Sequence, residues 1–213
     1  AQVIPKQDEN FAYWTSKPGM KCAKMGGNDY CVPIEQIRAE NFTTDSAPGF
    51  LVQMPVDSPE LKDCNKQRYS LDTDPFPAIQ LFFSDRYSKK DNDTTKKYYE
   101  RMFEDRINAN GSGSWFIPKQ ISSYYGMNCI QYKRNSYLQE EMLCYGGRYG
   151  GPNPPFFLSC DWDGSVPYPG CNYTLFVDDI EVKASFRKPC VVHHAEISRL
   201  MLNYLRNLRV GKD

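Results

Sequence analysis

The sequence predicts an α+β fold in which a mainly antiparallel sheet carries an amphipathic mid-chain helix and a C-terminal helix, all stapled by disulfides. Three observations favour this fold. A strand pair with alternating apolar residues lies near the C-terminus, a segment with helical periodicity follows it, and eight cysteines are spread over 213 residues. Length and composition favour a single domain over 1–213, with a possible subdivision near 110–120.

The N-terminal half alternates turn signals with short apolar runs. The first fifty residues are polar, with glycine-containing turns at 17–19 and 26–29. Apolar and β-branched residues then mark strands along the chain. The predicted strands are Val32–Ile34, Phe50–Met54, Ala78–Phe83, Cys129–Tyr132, Leu138–Tyr145 and Phe156–Cys160. Between them, apolar residues at spacings of three and four predict the mid-chain helix over Thr95–Ile107.

Two further elements complete the C-terminal part. Tyr173–Val177 and Ile180–Phe186 read as a hairpin around the Asp178-Asp179 turn, because the apolar residues of the second strand alternate with polar ones. His193–Leu208 has an apolar stripe with the period of a helix, so it predicts a terminal helix packed across the sheet.

The cysteines predict disulfides and an oxidising compartment, because no close pair has the spacing of a zinc site. Three local pairs and one long-range pair are expected, although buried free cysteines are the alternative. The expected pairs are Cys22 with Cys31, Cys129 with Cys144, Cys160 with Cys171, and Cys64 with Cys190.

Charge argues against two classes of partner. Lys plus Arg and Asp plus Glu are each 26, so the formal net charge of zero favours neither nucleic acid nor an anionic membrane surface. No apolar run approaches the roughly 18 residues of a membrane span. Membrane attachment is therefore expected only through an N-terminal lipid anchor ahead of Ala1.

Catalytic chemistry finds little support in the sequence. No serine lies in a nucleophile-elbow motif, and the two histidines, His193 and His194, are adjacent, so at most one faces a given site. A sugar hydrolase would need two of four aspartates, which also suit ordinary turns. These are Asp161, Asp163, Asp178 and Asp179. No catalytic residue, metal site or cofactor is predicted.

Tyrosine-rich loops indicate protein recognition instead. The chain has 15 tyrosines, a residue type with an apolar face and a polar tip. The glycine- and proline-rich stretch 145–155 is expected to be irregular and, with the loop at 161–170, to contact a partner. The predicted anchors are Tyr145, Arg148, Tyr149, Trp162 and Tyr168.

The pattern Cys160-x10-Cys171, followed by the hairpin and the terminal helix, resembles a known family over 160–208. It is similar to periplasmic, often lipid-anchored immunity proteins that accompany antibacterial type VI secretion effectors, particularly lipase effectors. The resemblance implies a non-catalytic periplasmic protein that occludes a cognate toxin. The alternative is a secreted or cell-surface binding domain, possibly a glycoprotein, with sequons at Asn41, Asn92, Asn110 and Asn172.

Overall fold

The fold was obtained as a computed structural model of the whole chain. The residues that the structure describes are 18–41, 49–65, 78–84, 118–132, 140–147, 153–161, 169–178 and 180–211. They form two antiparallel sheets, two α-helices and two 3-10 segments.

A small sheet joins the two ends of the described chain. Strands β1 (Met20–Met25) and β2 (Asn28–Pro33) form a hairpin, and β12 (Arg209–Val210) pairs with the free side of β2. Gly26 and Gly27 make the hairpin turn at φ 55° and 77°, the left-handed conformation that such turns require and glycine adopts without strain.

The large sheet has nine strands within the described residues, in the order β3-β4-β5-β11-β10-β9-β8-β7-β6. Every pair in it is antiparallel. Its strands are β3 (Ile37–Asn41), β4 (Gly49–Pro55), β5 (Ala78–Ser84), β6 (Pro118–Tyr124), β7 (Met127–Tyr132), β8 (Glu140–Gly146), β9 (Phe156–Asp161), β10 (Gly170–Val177) and β11 (Ile180–Arg187).

Three disulfides connect residues that face each other on neighbouring strands. Their Cα atoms lie 4.0–4.1 Å apart, as at the closely spaced positions of an antiparallel pair. These bridges are Cys22–Cys31, Cys129–Cys144 and Cys160–Cys171. The fourth, Cys64–Cys190, spans 126 residues. All eight cysteines are therefore bridged, in the pairing that the sequence predicts.

The long-range bridge joins the segment that follows β4 to the segment that follows β11. Helix α1 (Pro59–Cys64) begins at Ser58, whose hydroxyl accepts a hydrogen bond from the Leu61 amide, with proline at its first position. The 3-10 segment Lys188–His193 leads into helix α2 (His194–Leu208), and a second one, Ile34–Gln36, precedes β3.

Helix α2 packs against one face of the large sheet. Its buried residues Ile197, Met201 and Leu205 share one apolar cluster with residues of both sheets, among them Val182 of β11 and Val32 of β2. The opposite face is also buried near its centre, where Phe157 and Phe176 meet edge to face at 6.1 Å.

Polar contacts tie the small sheet and helix α2 to the large sheet. Arg209 donates to Asp178 at 3.1 Å and also to the Asn28 side chain, and Tyr204 donates to Gln36 at 2.6 Å. A side chain at Gly26 would stand 2.2 Å from the Asp178 carbonyl oxygen, so only glycine permits this approach of the two hairpin turns.

The architecture confirms the predicted α+β class, including the hairpin around Asp178 and the terminal helix, which begins at His194. One predicted bound is wrong: β2 ends at Pro33, with Ile34 already in a 3-10 turn. Tyr145, which the sequence predicts both to end a strand and to begin the irregular stretch 145–155, belongs to β8, as the strand prediction has it. The predicted helix over 95–107 lies outside the described residues, and the number of domains stays a prediction.

Candidate partner-binding surface

Of the five predicted anchors, the structure describes Tyr145, which lies on a strand. It is the penultimate residue of β8, half-buried, between Asn128 of β7 and Phe157 of β9. Cys144 beside it is bridged to Cys129, so a covalent link fixes the strand that presents the tyrosine. The other anchors, Arg148, Tyr149, Trp162 and Tyr168, lie outside the described residues.

The loop that follows Tyr145 has a closed base, which we call the glycine neck (Gly146, Gly147 and Pro154). Gly147 has φ 73°, and a Cβ there would stand 2.0 Å from the Pro154 carbonyl oxygen. A Cβ at Gly146 would stand 2.6 Å from the ring of Phe156. The chain can leave and re-enter the sheet this closely only because both positions lack side chains.

The second predicted loop is closed in a different way at its base, which we call the disulfide base (Cys160, Asp161, Gly170 and Cys171). Cys160 and Cys171 are bridged, and the Asp161 carboxylate accepts a hydrogen bond from the Gly170 amide at 3.0 Å. The carbonyl of Asp161 also accepts from the Lys188 ammonium at 3.0 Å. Both ends of this loop are therefore fixed by side chains and covalent sulfur.

The two loop bases lie at opposite ends of one strand. The glycine neck adjoins Phe156, the first residue of β9, and the disulfide base adjoins Asp161, its last. Six residues of strand place these ends about 17 Å apart. A partner that touches both loops must therefore span the length of β9, whereas a smaller contact uses one loop.

The described aspartates have structural contacts and are far apart. Asp161 lies level with Gly170 at the start of β10, whereas Asp178 follows the end of β10 and binds Arg209 at 3.1 Å. Eight residues of strand separate the two levels, roughly 25 Å, well beyond the spacing of about 5–9.5 Å that glycoside hydrolysis requires. Asp161 and Asp178 therefore cannot act as an acid–base pair. Asp163 and Asp179 lie outside the described residues.

Each of the two histidines interacts with a group on another element of the fold. His194 Nε2 lies 3.1 Å from the Tyr125 carbonyl oxygen, so this nitrogen is the donor. His193 lies near enough to Glu60 of helix α1 for their charges to interact. A backbone hydrogen bond and the Ser58 hydroxyl lower the pKa of Glu60, and the nearby charge of His193 lowers it further.

The part of the chain that the structure describes has neither a metal cluster nor a membrane-spanning helix. That part of the chain holds no cluster of three or more histidine, cysteine, aspartate or glutamate side chains placed to bind a metal ion. Nor does it include a helix with the length and apolar character needed to cross a membrane.

Sequence reasoning missed one exposed feature, the turn between β6 and β7. Tyr125 and Gly126 form it, and the Tyr125 side chain is 50% exposed, although tyrosine is unusual at a left-handed position. Asn128, three residues on, pairs with Tyr145, so the turn lies at the same end of the sheet as the glycine neck. The glycine after Tyr125 is the one signal that could have marked this turn.

Comparison with known proteins gives one informative likeness. No protein-family model matches the sequence, and no curated protein matches it. The fold is similar to that of an immunity protein of the Stenotrophomonas maltophilia type IV secretion system, with a TM-score of 0.54. The match covers 95% of this chain and 94% of that chain at 10% sequence identity, so the likeness establishes a shared fold.

Proposed function

We propose that this chain is an immunity protein that binds a toxin and blocks it by covering part of its surface, without catalysis of its own. The observation that carries this proposal is the likeness over nearly the full length of both chains to a protein described as an immunity protein. The sequence resemblance over 160–208 leads to the same class by an independent route.

Inhibition by occlusion suits the architecture. A protein that works by steric block must present a fixed shape, because each loop that is ordered on binding costs conformational entropy. The glycine neck and the disulfide base hold both predicted contact loops at their ends, and the Cys129–Cys144 and Cys160–Cys171 bridges crosslink the strands that carry them. We propose five anchors, three in or after the end of β8 and two in the sequence between β9 and β10: Tyr145, Arg148, Tyr149, Trp162 and Tyr168.

The bacterial periplasm is the proposed compartment, with attachment to the membrane through an N-terminal lipid anchor. Four disulfides are typical of proteins in oxidising surroundings, because cytosolic thiol buffers keep cysteines reduced. A toxin that attacks membrane lipids or the cell wall acts in this compartment, so its antidote must act there too.

The identity of the toxin is the finer part of the proposal. The sequence resemblance implies a lipase effector of a type VI system, whereas the structural neighbour serves a type IV system. Since both routes agree on the inhibitory role, that role is independent of the delivery system. Candidate toxins encoded beside the gene for this chain are the partners to test first.

Growth rescue tests the proposed function. The chain is expressed in a bacterial host with and without a periplasmic export signal, beside each candidate toxin directed to the periplasm. We expect the exported form to restore growth and the cytosolic form to fail, because only the exported form meets the toxin and forms its disulfides. Failure of the exported form, although folded and abundant, contradicts the immunity function; rescue by the cytosolic form alone contradicts the compartment.

A further inference from the structure

Five polar side chains form a row across the large sheet, which we call the polar row. They lie directly opposite one another on the five neighbouring strands β4, β5, β11, β10 and β9. In this order they are Gln53, Gln80, Ser185, Asn172 and Ser159. Residues that face each other across antiparallel strands project from the same side of the sheet. Four strand spacings make the row about 19 Å long.

The polar row lies on the face of the sheet opposite helix α2. Ala184 and Phe186, which flank Ser185 on β11, are buried in the apolar cluster that includes helix α2. Successive strand residues point to opposite faces, so Ser185 and the rest of the row point away from the helix. The three central members of the row are exposed and the two end members are half-buried. An open sheet face suits a macromolecular partner, because small molecules bind in concave sites.

The polar row mainly offers hydrogen-bond donors to a partner. The Ser185 hydroxyl donates to Asn172 Oδ1 at 2.8 Å, and the exposed Arg38 donates to Gln53 Oε1. Both amide oxygens are thus engaged within the surface, whereas the NH2 groups of the same amides remain as donors. The guanidinium of Arg38 adds further donors at the β4 end of the row. The matching surface must therefore be rich in acceptors.

The charged groups beside the row favour an acidic partner. Lys183, two residues before Ser185 on β11, points to the same face, and its side chain is 43% exposed. It pairs at 2.7 Å with Glu181, whose side chain is only 4% exposed, so a partner meets the lysine rather than the carboxylate. Asp161, near the β9 end, accepts a hydrogen bond from a backbone amide. With Arg38 at the other end, the accessible cations border a neutral centre, as in many protein interfaces.

We propose that the polar row is the surface on which the toxin docks, and that the toxin covers it with an acidic face rich in hydrogen-bond acceptors. The inference rests on the proposed function, and it specifies the surface that is covered and the chemistry of the partner's contact. The donors of the row meet carboxylate and carbonyl oxygens of the toxin, and the bordering cations disfavour basic surfaces.

The polar row adjoins the predicted contact loop at 161–170. Ser159 immediately precedes the disulfide base on β9, and Asn172 immediately follows it on β10. The Cys160–Cys171 bridge therefore crosslinks the two strands next to the row. This restraint lowers the conformational entropy that the surface loses when a partner binds. A toxin that contacts the loop at the disulfide base meets the row as the next surface on the same strands.

Isosteric changes from amide to carboxylate test the proposal. Gln80→Glu combined with Asn172→Asp replaces two donor groups with negatively charged acceptors, and the new carboxylate can still accept from Ser185. The probe is the candidate toxin that the growth-rescue assay selects, purified in an inactive form, and calorimetry measures its dissociation constant. We expect at least about thirtyfold weaker binding, because like charges then face each other. The Tm should stay within about 2 °C of the wild type, since both positions are exposed.

Asn203→Asp combined with Asn207→Asp is the matched control. It makes the same change in charge and shape at two positions of helix α2, on the other side of the large sheet. Affinity is expected to stay within about twofold of the wild type, because surface charges far from a contact act weakly through salt. Equal losses in the two double variants would overturn the proposal, since they would reflect net charge rather than the polar row.

Gln80→Lys and Gln80→Glu compare opposite charges at the centre of the row. Lysine keeps a donor at this position, so its affinity should equal or exceed that of the wild type. Glutamate alone should weaken binding at least about fivefold. Equal losses in these two single variants would contradict an acidic, acceptor-rich partner.

The remaining outcomes separate this surface from the proposed function. If no candidate toxin binds the wild type and none is neutralised in the growth assay, the immunity function fails and this inference with it. If a toxin binds and the double carboxylate variant binds it equally well, the polar row alone fails. The wild type and this variant are also tested on vesicles of anionic phospholipid. Vesicle binding that only the variant loses, with unchanged toxin affinity, would assign the row to a membrane surface and overturn the proposal.

Discussion

The two loop bases at the ends of β9 are closed by different physics. The glycine neck depends on the absence of side chains, which lets Gly147 pack against the Pro154 backbone. The disulfide base depends on added bonds, a covalent bridge and a carboxylate that accepts from the Gly170 amide. Added side-chain atoms should therefore disrupt the glycine neck, which reduction leaves intact. Reduction should open the disulfide base, which tolerates added atoms better. One strand thus carries two loops that can be loosened separately.

Removal of the disulfide at the second base is expected to have the largest effect. Cys160→Ala with Cys171→Ala should lower the free energy of unfolding by about 3 kcal/mol, because the bridge closes a short loop of the unfolded chain. Denaturant unfolding measures the loss, and amide hydrogen exchange should become faster at Gly170, whose N–H donates to Asp161 beside the bridge.

The pair Cys129→Ala with Cys144→Ala is the control, since that bridge also joins facing strand residues. It should lower stability by a similar amount and leave amide exchange at Gly170 unchanged. Equal acceleration at Gly170 in both variants would mean that the Cys160–Cys171 bridge does not hold the disulfide base.

The glycine neck should respond to a single methyl group. Gly147→Ala combines a left-handed φ with a contact of 2.0 Å to backbone, so we expect a loss of at least about 2 kcal/mol in unfolding free energy. Gly19→Ala also has positive φ, 73°, but meets no atom within 4 Å, and should cost about 1 kcal/mol. Indistinguishable denaturation midpoints for the two variants would show that the neck is not tightly closed.

The smallest effects are expected on toxin affinity, which tests each loop with its own double variant. Arg148→Ala with Tyr149→Ala removes the anchors beyond the glycine neck, and should weaken affinity by about 2 kcal/mol if they belong to the interface centre. Trp162→Ala with Tyr168→Ala removes the anchors proposed between β9 and β10, and should weaken affinity by a similar amount. Losses in both double variants indicate a partner that contacts both loops, a loss in one variant alone assigns the toxin to that loop, and unchanged affinity in both removes the two loops from the interface.

Elements with strong local patterns were predictable from the sequence. The hairpin around Asp178 alternates apolar and polar residues, and helix α2 has an apolar stripe at helical spacing. The residue pattern within each segment therefore predicts its structure. The disulfide pairing was predictable for a related reason, since Cys22–Cys31, Cys129–Cys144 and Cys160–Cys171 each join neighbouring strands.

Elements defined by distant partners were not predictable. Strand β12 is two residues long and forms because the edge of β2 is free to pair with it. The residues around β12 in the sequence give no sign of this distant partner. Helix α1 was missed although Ser58 and Pro59 mark its start, because six residues carry almost no periodic signal. Tyr125 escaped notice for the opposite reason: its residue type argues against the turn that it occupies.

The pairing of β12 with the N-terminal hairpin determines when the three-stranded sheet can be completed during synthesis. Residues near both ends of the described chain meet in one three-stranded sheet, and Arg209 binds Asn28 across it. While the chain is still being synthesised, β2 has no partner on that side, so the sheet stays incomplete until residue 210 has left the ribosome. The Cys64–Cys190 bridge imposes the same late timing on oxidation, because its second sulfur arrives 126 residues after the first.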